Sequence, residues 1–254
     1  MKLKILGCSG GIGGRLRTTS MLLDSDVLID AGTGVGDLSI AELRAIDHVF
    51  LTHAHLDHIC SIPFLVDTVG GMRDKPLMVH ALPATLDALR SHIFNDCIWP
   101  DFSVLPAADR PYLRYSPMVV GETKTLGQRQ ITALPAEHVV PAVGYHLRSS
   151  NGSLVFSGDT TSNDALWAAV NGIEDLRYLI IETAFWEAER DVAIASKHLC
   201  PSLLADELKK LKRKAEVYVT HLKPGEMELT MQQVEAAAGA LQPKMLETGH
   251  TFHL

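Results

Sequence analysis

The run Thr52-His53-Ala54-His55-Leu56-Asp57-His58 holds three imidazoles and one carboxylate within six residues. It follows the apolar run Val49-Phe50-Leu51, so its donors stand where a strand ends. In an extended chain His53 and His55 share one side, because side chains alternate. Asp57 and His58 then open a turn or helix and face back toward them. Imidazole and carboxylate donors together suit Zn²⁺, or Fe²⁺ and Mn²⁺ at similar geometry. Four donors so close exceed what one tetrahedral zinc beside a reacting water needs. Two metals are expected if donors arrive from elsewhere, and three candidates do. His138 lies in a turn after the strand ending at Pro135. Asp159 follows Leu154-Val155-Phe156 in Ser157-Gly158-Asp159-Thr160, and His221 closes Val217-Tyr218-Val219-Thr220. Each stands at the end of an apolar strand, where loops build sites on a rigid scaffold.

The elements that must position these donors read in order along the chain. Strands are expected at 2–6, 18–23, 27–29, 48–52 and 77–81. Helical spacing covers 38–46, 59–69 and 83–94. Residues 95–118 are the least regular, broken by Pro100, Pro106, Pro111 and Pro117. Strands follow at 122–126, 130–134, 144–149 and 153–157, with Asn151-Gly152 as a hairpin signal. Helices at 163–170, 201–211 and 230–240 then alternate with strands at 178–182, 217–220 and 244–246. No repeat or low-complexity linker is visible, and the pattern suits two sheets covered by helices in one domain spanning residues 1–254.

Composition bounds the rest. The 254 residues include 23 Lys plus Arg against 30 Asp plus Glu, a formal charge of −7 with 12 His counted as neutral. With 46% hydrophobic residues the chain is neither disordered nor fibrous. The acidic balance argues against holding long nucleic acid by its phosphates. No apolar stretch is long enough to span a membrane. The N-terminus lacks the apolar core of a signal peptide, and Cys8, Cys60, Cys97 and Cys200 form no CxxC pair, so a cytoplasmic protein with free thiols is expected. Gly7-Cys8-Ser9-Gly10-Gly11 matches a nucleophile elbow in letters, but no helix follows it. Neither glycine cluster completes a dinucleotide fingerprint. The run Lys209-Lys210-Leu211-Lys212-Arg213-Lys214 reads as a solvated helix end.

The H-x-H-x-D-H signature followed by His138, Asp159 and His221 resembles the metallo-β-lactamase superfamily over nearly the whole chain. Leu6-Gly7 and Leu28-Ile29-Asp30-Ala31-Gly32 resemble its opening strands. The resemblance implies an α/β fold, an αββα sandwich of two mixed sheets flanked by helices. It implies that His53, His55 and His138 hold one divalent metal, that Asp57, His58 and His221 hold the other, and that Asp159 bridges them. Two branches are similar: the class II cyclic-nucleotide phosphodiesterases and the tRNA 3′-processing endonucleases. The segment His53 to Ile59 follows the signature of the first branch and departs from it at Pro63-Phe64. Ile181-Glu182-Thr183-Ala184-Phe185, Lys197-His198-Leu199-Cys200-Pro201 and Thr220-His221-Leu222-Lys223-Pro224 also resemble that branch. Only a short hairpin fits where the bacterial tRNA enzymes carry a flexible arm.

The expectation is therefore a metal-dependent phosphodiesterase turning 3′,5′-cyclic AMP or GMP into 5′-nucleotides, with two Zn²⁺, Mn²⁺ or Fe²⁺ ions and a hydroxide shared between them. Asp57 could orient that nucleophile as well as bind metal. The resemblance assigns His198 as proton donor to the leaving 3′ oxygen, oriented by Glu182. The alternatives are an RNA 3′-end endonuclease and a binding protein without chemistry, the latter disfavoured because every ligand position is filled. Residues 60–118 are expected to form a helical wall or cap outside the recognised sandwich, and a homodimer contact. His48, His80, His92, His146, His250 and His253 are expected to be structural. Arg15 and Arg17 either reach a substrate phosphate or are simply exposed.

Overall fold

The computed structural model describes residues 1–254, the side chain of Ala240 excepted. The first strands are β1 (Lys2–Gly7), β2 (Ser20–Leu23) and β3 (Val27–Ala31), joined antiparallel. β4 (His48–Phe50), β5 (Leu77–Ala81) and β6 (Leu113–Pro117) then add in parallel. A second sheet repeats this plan. β7 (Thr123–Leu126), β8 (Arg129–Pro135), β9 (Val143–Ser149) and β10 (Gly152–Phe156) are antiparallel. β11 (Leu176–Glu182), β12 (Glu216–Thr220) and β13 (Lys244–Met245) add in parallel. β14 (Thr251–His253) returns to pair with β1, so each sheet has seven strands.

Helices fill the parallel crossovers, as parallel strands require. α1 (Ile40–Ala45), α2 (Leu56–Ile59), α3 (Ile62–Val69) and α4 (Pro83–His92) serve the first sheet. α5 (Asp164–Asn171), α6 (Arg190–Ala195), α7 (Pro201–Leu208) and α8 (Met227–Ala238) serve the second. α1 opens with a capping box: Ser39 Oγ accepts from Glu42 N, and the Glu42 carboxylate accepts from Ser39 N at 2.8 Å.

Strand alternation sorts the core into three layers. Ile5, Met21, Ile29 and Phe50 face Ile131, Tyr145, Phe156 and Ile180 between the sheets. Leu28, Val49 and Val79 turn outward onto Leu43, Leu65 and Leu86. Val155, Leu179 and Val217 turn outward onto Leu166, Leu204 and Val234. The result is helix, sheet, sheet, helix. No helix among the described residues is long and apolar enough to cross a membrane, and all four cysteines are free.

Three elements differ from expectation. β6 and β14 lie where no strand is expected, and α6 where no helix is. β6 is an edge strand, which tolerates Pro117 because one side needs no partner. Residues 60–118 are not wholly a cap outside the sandwich: they contribute β5 and β6 to the first sheet, and α3 and α4 bury Leu65, Val66, Leu86 and Leu89 against it.

Candidate metal centre

Both sheets end at one place. β4 stops at Phe50, and the chain enters the loop bearing His53 and His55 before α2 carries Asp57 and His58. The two histidines meet, but from a loop rather than a strand. β8, β10 and β12 of the second sheet release His138, Asp159 and His221 within a few residues of their ends. The ends are tied together: Tyr145 Oη donates to Leu51 O at 2.7 Å, Val143 N to Thr52 O at 3.0 Å, and His221 N to Cys8 O at 2.8 Å.

The cluster is dense. His53 Nε2 lies 3.0 Å from His55 Nδ1, and His138 Nε2 lies 3.2 Å from the same atom. Asp159 Oδ2 stands 3.6 Å from His53 Nε2, 3.3 Å from His58 Nε2 and 3.5 Å from His221 Nε2. Asp57 Oδ2 is 3.7 Å from His58 Nε2 and 3.8 Å from His221 Nε2. His53, His55, His138 and Asp159 can thus surround one ion, and Asp57, His58 and His221 a second. All seven expected ligands are brought together. His53, His58, His138, Asp159 and His221 are buried, while His55 and Asp57 are half-buried and form the open side.

The far nitrogens explain the orientation. His53 Nδ1 lies 3.0 Å from Thr52 Oγ1, His58 Nδ1 2.7 Å from Asp30 Oδ2, and His138 Nδ1 3.2 Å from Lys197 O. His221 Nδ1 lies 3.4 Å from Thr19 Oγ1. With Nδ1 engaged outward, Nε2 faces the centre with its lone pair, as metal-ligating histidines require. Asp30 itself is buried and accepts from Thr52 N and Oγ1, both at 2.8 Å. The sequence reading gave Asp30, Thr52 and Thr19 no role. Asp30 carries a signal, since it follows the apolar run Val27-Leu28-Ile29 as Asp159 comes shortly after Leu154-Val155-Phe156, although β3 itself runs on through Asp30.

Electrostatics fit a cation. Burial pulls His53 well down, and pulls His221 to about 4 against the opposing charge of Asp159. Burial also disfavours charge on His58, yet Asp159 and Asp30 on either side raise it well above the ordinary range. Burial would raise Asp159, but His221, His58 and His53 hold it well below the usual carboxylate value. His58 Nε2 is a buried polar atom without a hydrogen-bond partner. Imidazole lone pairs converging at about 3 Å repel unless a proton or a cation sits between them, and one divalent ion can accept several of these lone pairs where one proton cannot.

His198 closes the site. Its ring stacks 5.3 Å from His221 and lies 4.8 Å from His138. Its Nδ1 lies 2.7 Å from Glu182 Oε1. The Glu182 carboxylate also accepts from Thr160 N, Ala184 N and Leu199 N at 3.0, 3.1 and 3.2 Å. Burial opposes charge on His198, but Glu182 and Asp159 raise its pKa above the usual value. Arg17 is engaged by Asp37 at 2.8 Å, and Arg15 is exposed. Asp30, Lys197 and His221 take left-handed backbone at φ 55°, 54° and 64°, as Asp24, Asp96 and Gln242 do away from the cluster.

The model of the β-lactamase superfamily domain matches residues 25–240. The chain belongs to the β-lactamase superfamily. Among its superfamily relatives, a probable 3′,5′-cyclic-nucleotide phosphodiesterase of Yersinia pestis is 27% identical over 71% of this chain and 58% of that protein. A ribonuclease Z of Bradyrhizobium diazoefficiens is 37% identical over 34% of this chain and 31% of that protein. The matches therefore span less than two thirds of these relatives. The structure of unliganded yeast PDE1 superposes with a TM-score of 0.81 at 19% identity, covering 100% of this chain and 99% of that one. The fold is that of the metallo-β-lactamases, two mixed seven-stranded sheets flanked by helices.

Proposed function

We propose that this protein is a metal-dependent phosphodiesterase that hydrolyses 3′,5′-cyclic nucleotides to 5′-nucleotides. The observation that carries the reading is the His198–Glu182 pair, set against a cluster of seven side chains that could hold metal. His53, His55 and His138 would hold one divalent ion and Asp57, His58 and His221 the other, with Asp159 between them. Zn²⁺ suits this donor set, with Mn²⁺ or Fe²⁺ as substitutes. Bound metals would neutralise phosphate oxygens and activate water near neutral pH.

The chain's own residues do the rest. His198 holds a proton on the ring nitrogen opposite Glu182 and delivers it to the leaving ribose 3′ oxygen, a poor leaving group without protonation. Glu182 fixes the tautomer and ring plane and favours the charged imidazole. Asp57, on the open side, orients the attacking water. The Yersinia relative supports this substrate class, and the cytoplasm is the proposed place of action.

A second reading, endonuclease action at RNA 3′ ends, is favoured by the ribonuclease Z relative. The metal-loaded protein is assayed on 3′,5′-cyclic AMP, 3′,5′-cyclic GMP and precursor tRNA. Release of 5′-nucleotide from a cyclic substrate supports the proposal. Cleavage of the tRNA with both cyclic nucleotides untouched replaces it with the second reading.

A further inference from the structure

β11 and β12 are parallel neighbours, and their pairing continues past their ends. Thr183 N donates to Thr220 O at 3.0 Å, and Lys223 N to Ala184 O at 3.1 Å. Phe185 and Lys223 are thereby held side by side at the carboxyl ends of the strands, where open α/β sheets place their ligands. The half-buried Phe185 ring lies edge-on to His198 with centroids 5.7 Å apart. Lys223 Nζ sits 5.9 Å from the Phe185 centroid.

The ammonium is under-engaged. Its one hydrogen bond goes to Gly10 O at 2.9 Å. An ammonium has three donors, and among the described residues no carboxylate forms an ion pair with Lys223. Lys75, Lys124, Lys210 and Lys244 each meet one at 2.6 or 2.7 Å. An ammonium with two donors to spare can take an anionic oxygen in a charge-assisted hydrogen bond.

Its location is set by the residue it bonds. A Cβ on Gly10 would lie 2.5 Å from His221 O and 3.1 Å from His221 Cδ2, so Gly10 packs directly on a ligand ring. Lys223 bonds that same glycine through its carbonyl, and its charge is near enough to His198 to oppose its protonation.

We propose that Lys223 binds the anionic phosphoryl group of the substrate beside His198, with the Phe185 ring as the wall that holds its ammonium in place. This rests on the phosphodiesterase reading but not on cyclic nucleotides as substrate. The competing role is mechanical: Lys223 tethers the glycine loop through Gly10 O. Lys223→Gln keeps an N–H donor for that tether and removes the charge, whereas Lys223→Arg keeps the charge.

The full chain, loaded with Zn²⁺, is assayed on bis(p-nitrophenyl) phosphate, a monoanion that reports any phosphodiester hydrolysis. Metal content and the rise in Tm caused by inorganic phosphate are measured alongside. Loss of a charge-assisted contact predicts that Lys223→Gln raises KM about tenfold. The same variant loses most of the phosphate-induced rise in Tm at unchanged metal content. Lys223→Arg returns KM to within about threefold of the parent. Phe185→Leu raises KM about threefold by freeing the ammonium.

Wild-type KM and phosphate response in Lys223→Gln would overturn the proposal, as would metal loss in that variant. Should Lys223→Gln fail to fold, unchanged KM and phosphate response in Phe185→Leu overturn it instead. Failure on cyclic nucleotides alone would reject that substrate and leave the Lys223 result standing.

Discussion

At Asp30 one buried carboxylate accepts from Thr52 N, Thr52 Oγ1 and His58 Nδ1. Asp30→Asn removes the charge that fixes the His58 tautomer while keeping the volume. Such outer partners are worth about 10- to 100-fold in metal affinity, so a competition titration with a chelating dye is expected to show a loss of that size. Unchanged affinity would mean that Asp30 serves folding alone. His198→Ala removes the proton donor and leaves the seven proposed ligands in place. Turnover of a cyclic nucleotide is expected to fall about 10²- to 10⁴-fold. The loss should be much smaller on bis(p-nitrophenyl) phosphate, because p-nitrophenolate departs without a proton. Equal losses on both substrates would remove His198 from that role.

Among the elements, β9 does more than fill the second sheet. Tyr145 is fully buried, faces Phe50 edge-on with centroids 5.8 Å apart, and donates its hydroxyl to Leu51 O at the end of β4. The ligand loop of one sheet is thus held by a strand of the other. Tyr145→Phe leaves the Leu51 carbonyl buried without that donor and is expected to destabilise the fold by about 1–2 kcal/mol. Urea denaturation reads this directly, and a midpoint within error of the parent would show that Val143 N to Thr52 O suffices alone. The neighbouring strand β5 sets a pH dependence. His80 stacks 4.3 Å from Phe50, and burial, helped by His48 and Lys124, pushes its pKa down to about 4. The unfolded chain binds a proton at this imidazole near its ordinary value, while the folded chain refuses it until about pH 4. Stability therefore rises with pH across that window and is lost on acidification, by up to about 3 kcal/mol from this group. A His80→Gln variant is expected to show a shallower fall in urea midpoint between pH 7 and pH 4. An equal slope in both proteins would assign the loss to other buried histidines.

For the whole molecule, the cluster is a seam. The loop and helix after β4 supply His53, His55, Asp57 and His58, and the second sheet supplies His138, Asp159 and His221. An ion bound there joins the two sheets and binds only the folded chain. At free metal about 1,000-fold above Kd this is worth about 4 kcal/mol. Chelation is expected to lower Tm by several degrees and to restore it on adding Zn²⁺. A Tm indifferent to chelator would show that the sheets hold the seam without metal.

Local order was legible because it depends on near neighbours. The Asn151-Gly152 hairpin appears with Ser149 opposite Gly152, and the apolar runs at 77–81 and 178–182 are strands of the sheets. β14 was not, since three residues become a strand only by pairing with β1. Nor was the shared plan of the two sheets, which lies in pairing direction rather than in repeated residues. By itself the sequence determined which side chains could bind metal, through residue type and position at strand ends. Their approach to 3–4 Å, the anchoring of His58 by Asp30, of His221 by Thr19 and of His138 by Lys197 O, and the setting of Lys223 beside Phe185 were decided only by the tertiary structure. Those partners are far apart in the chain: pairing and packing within one sheet join Asp30 to His58, Lys197 to His138 and Lys223 to Phe185, and the docking of one sheet on the other brings Thr19 to His221 and the two sets of ligands together.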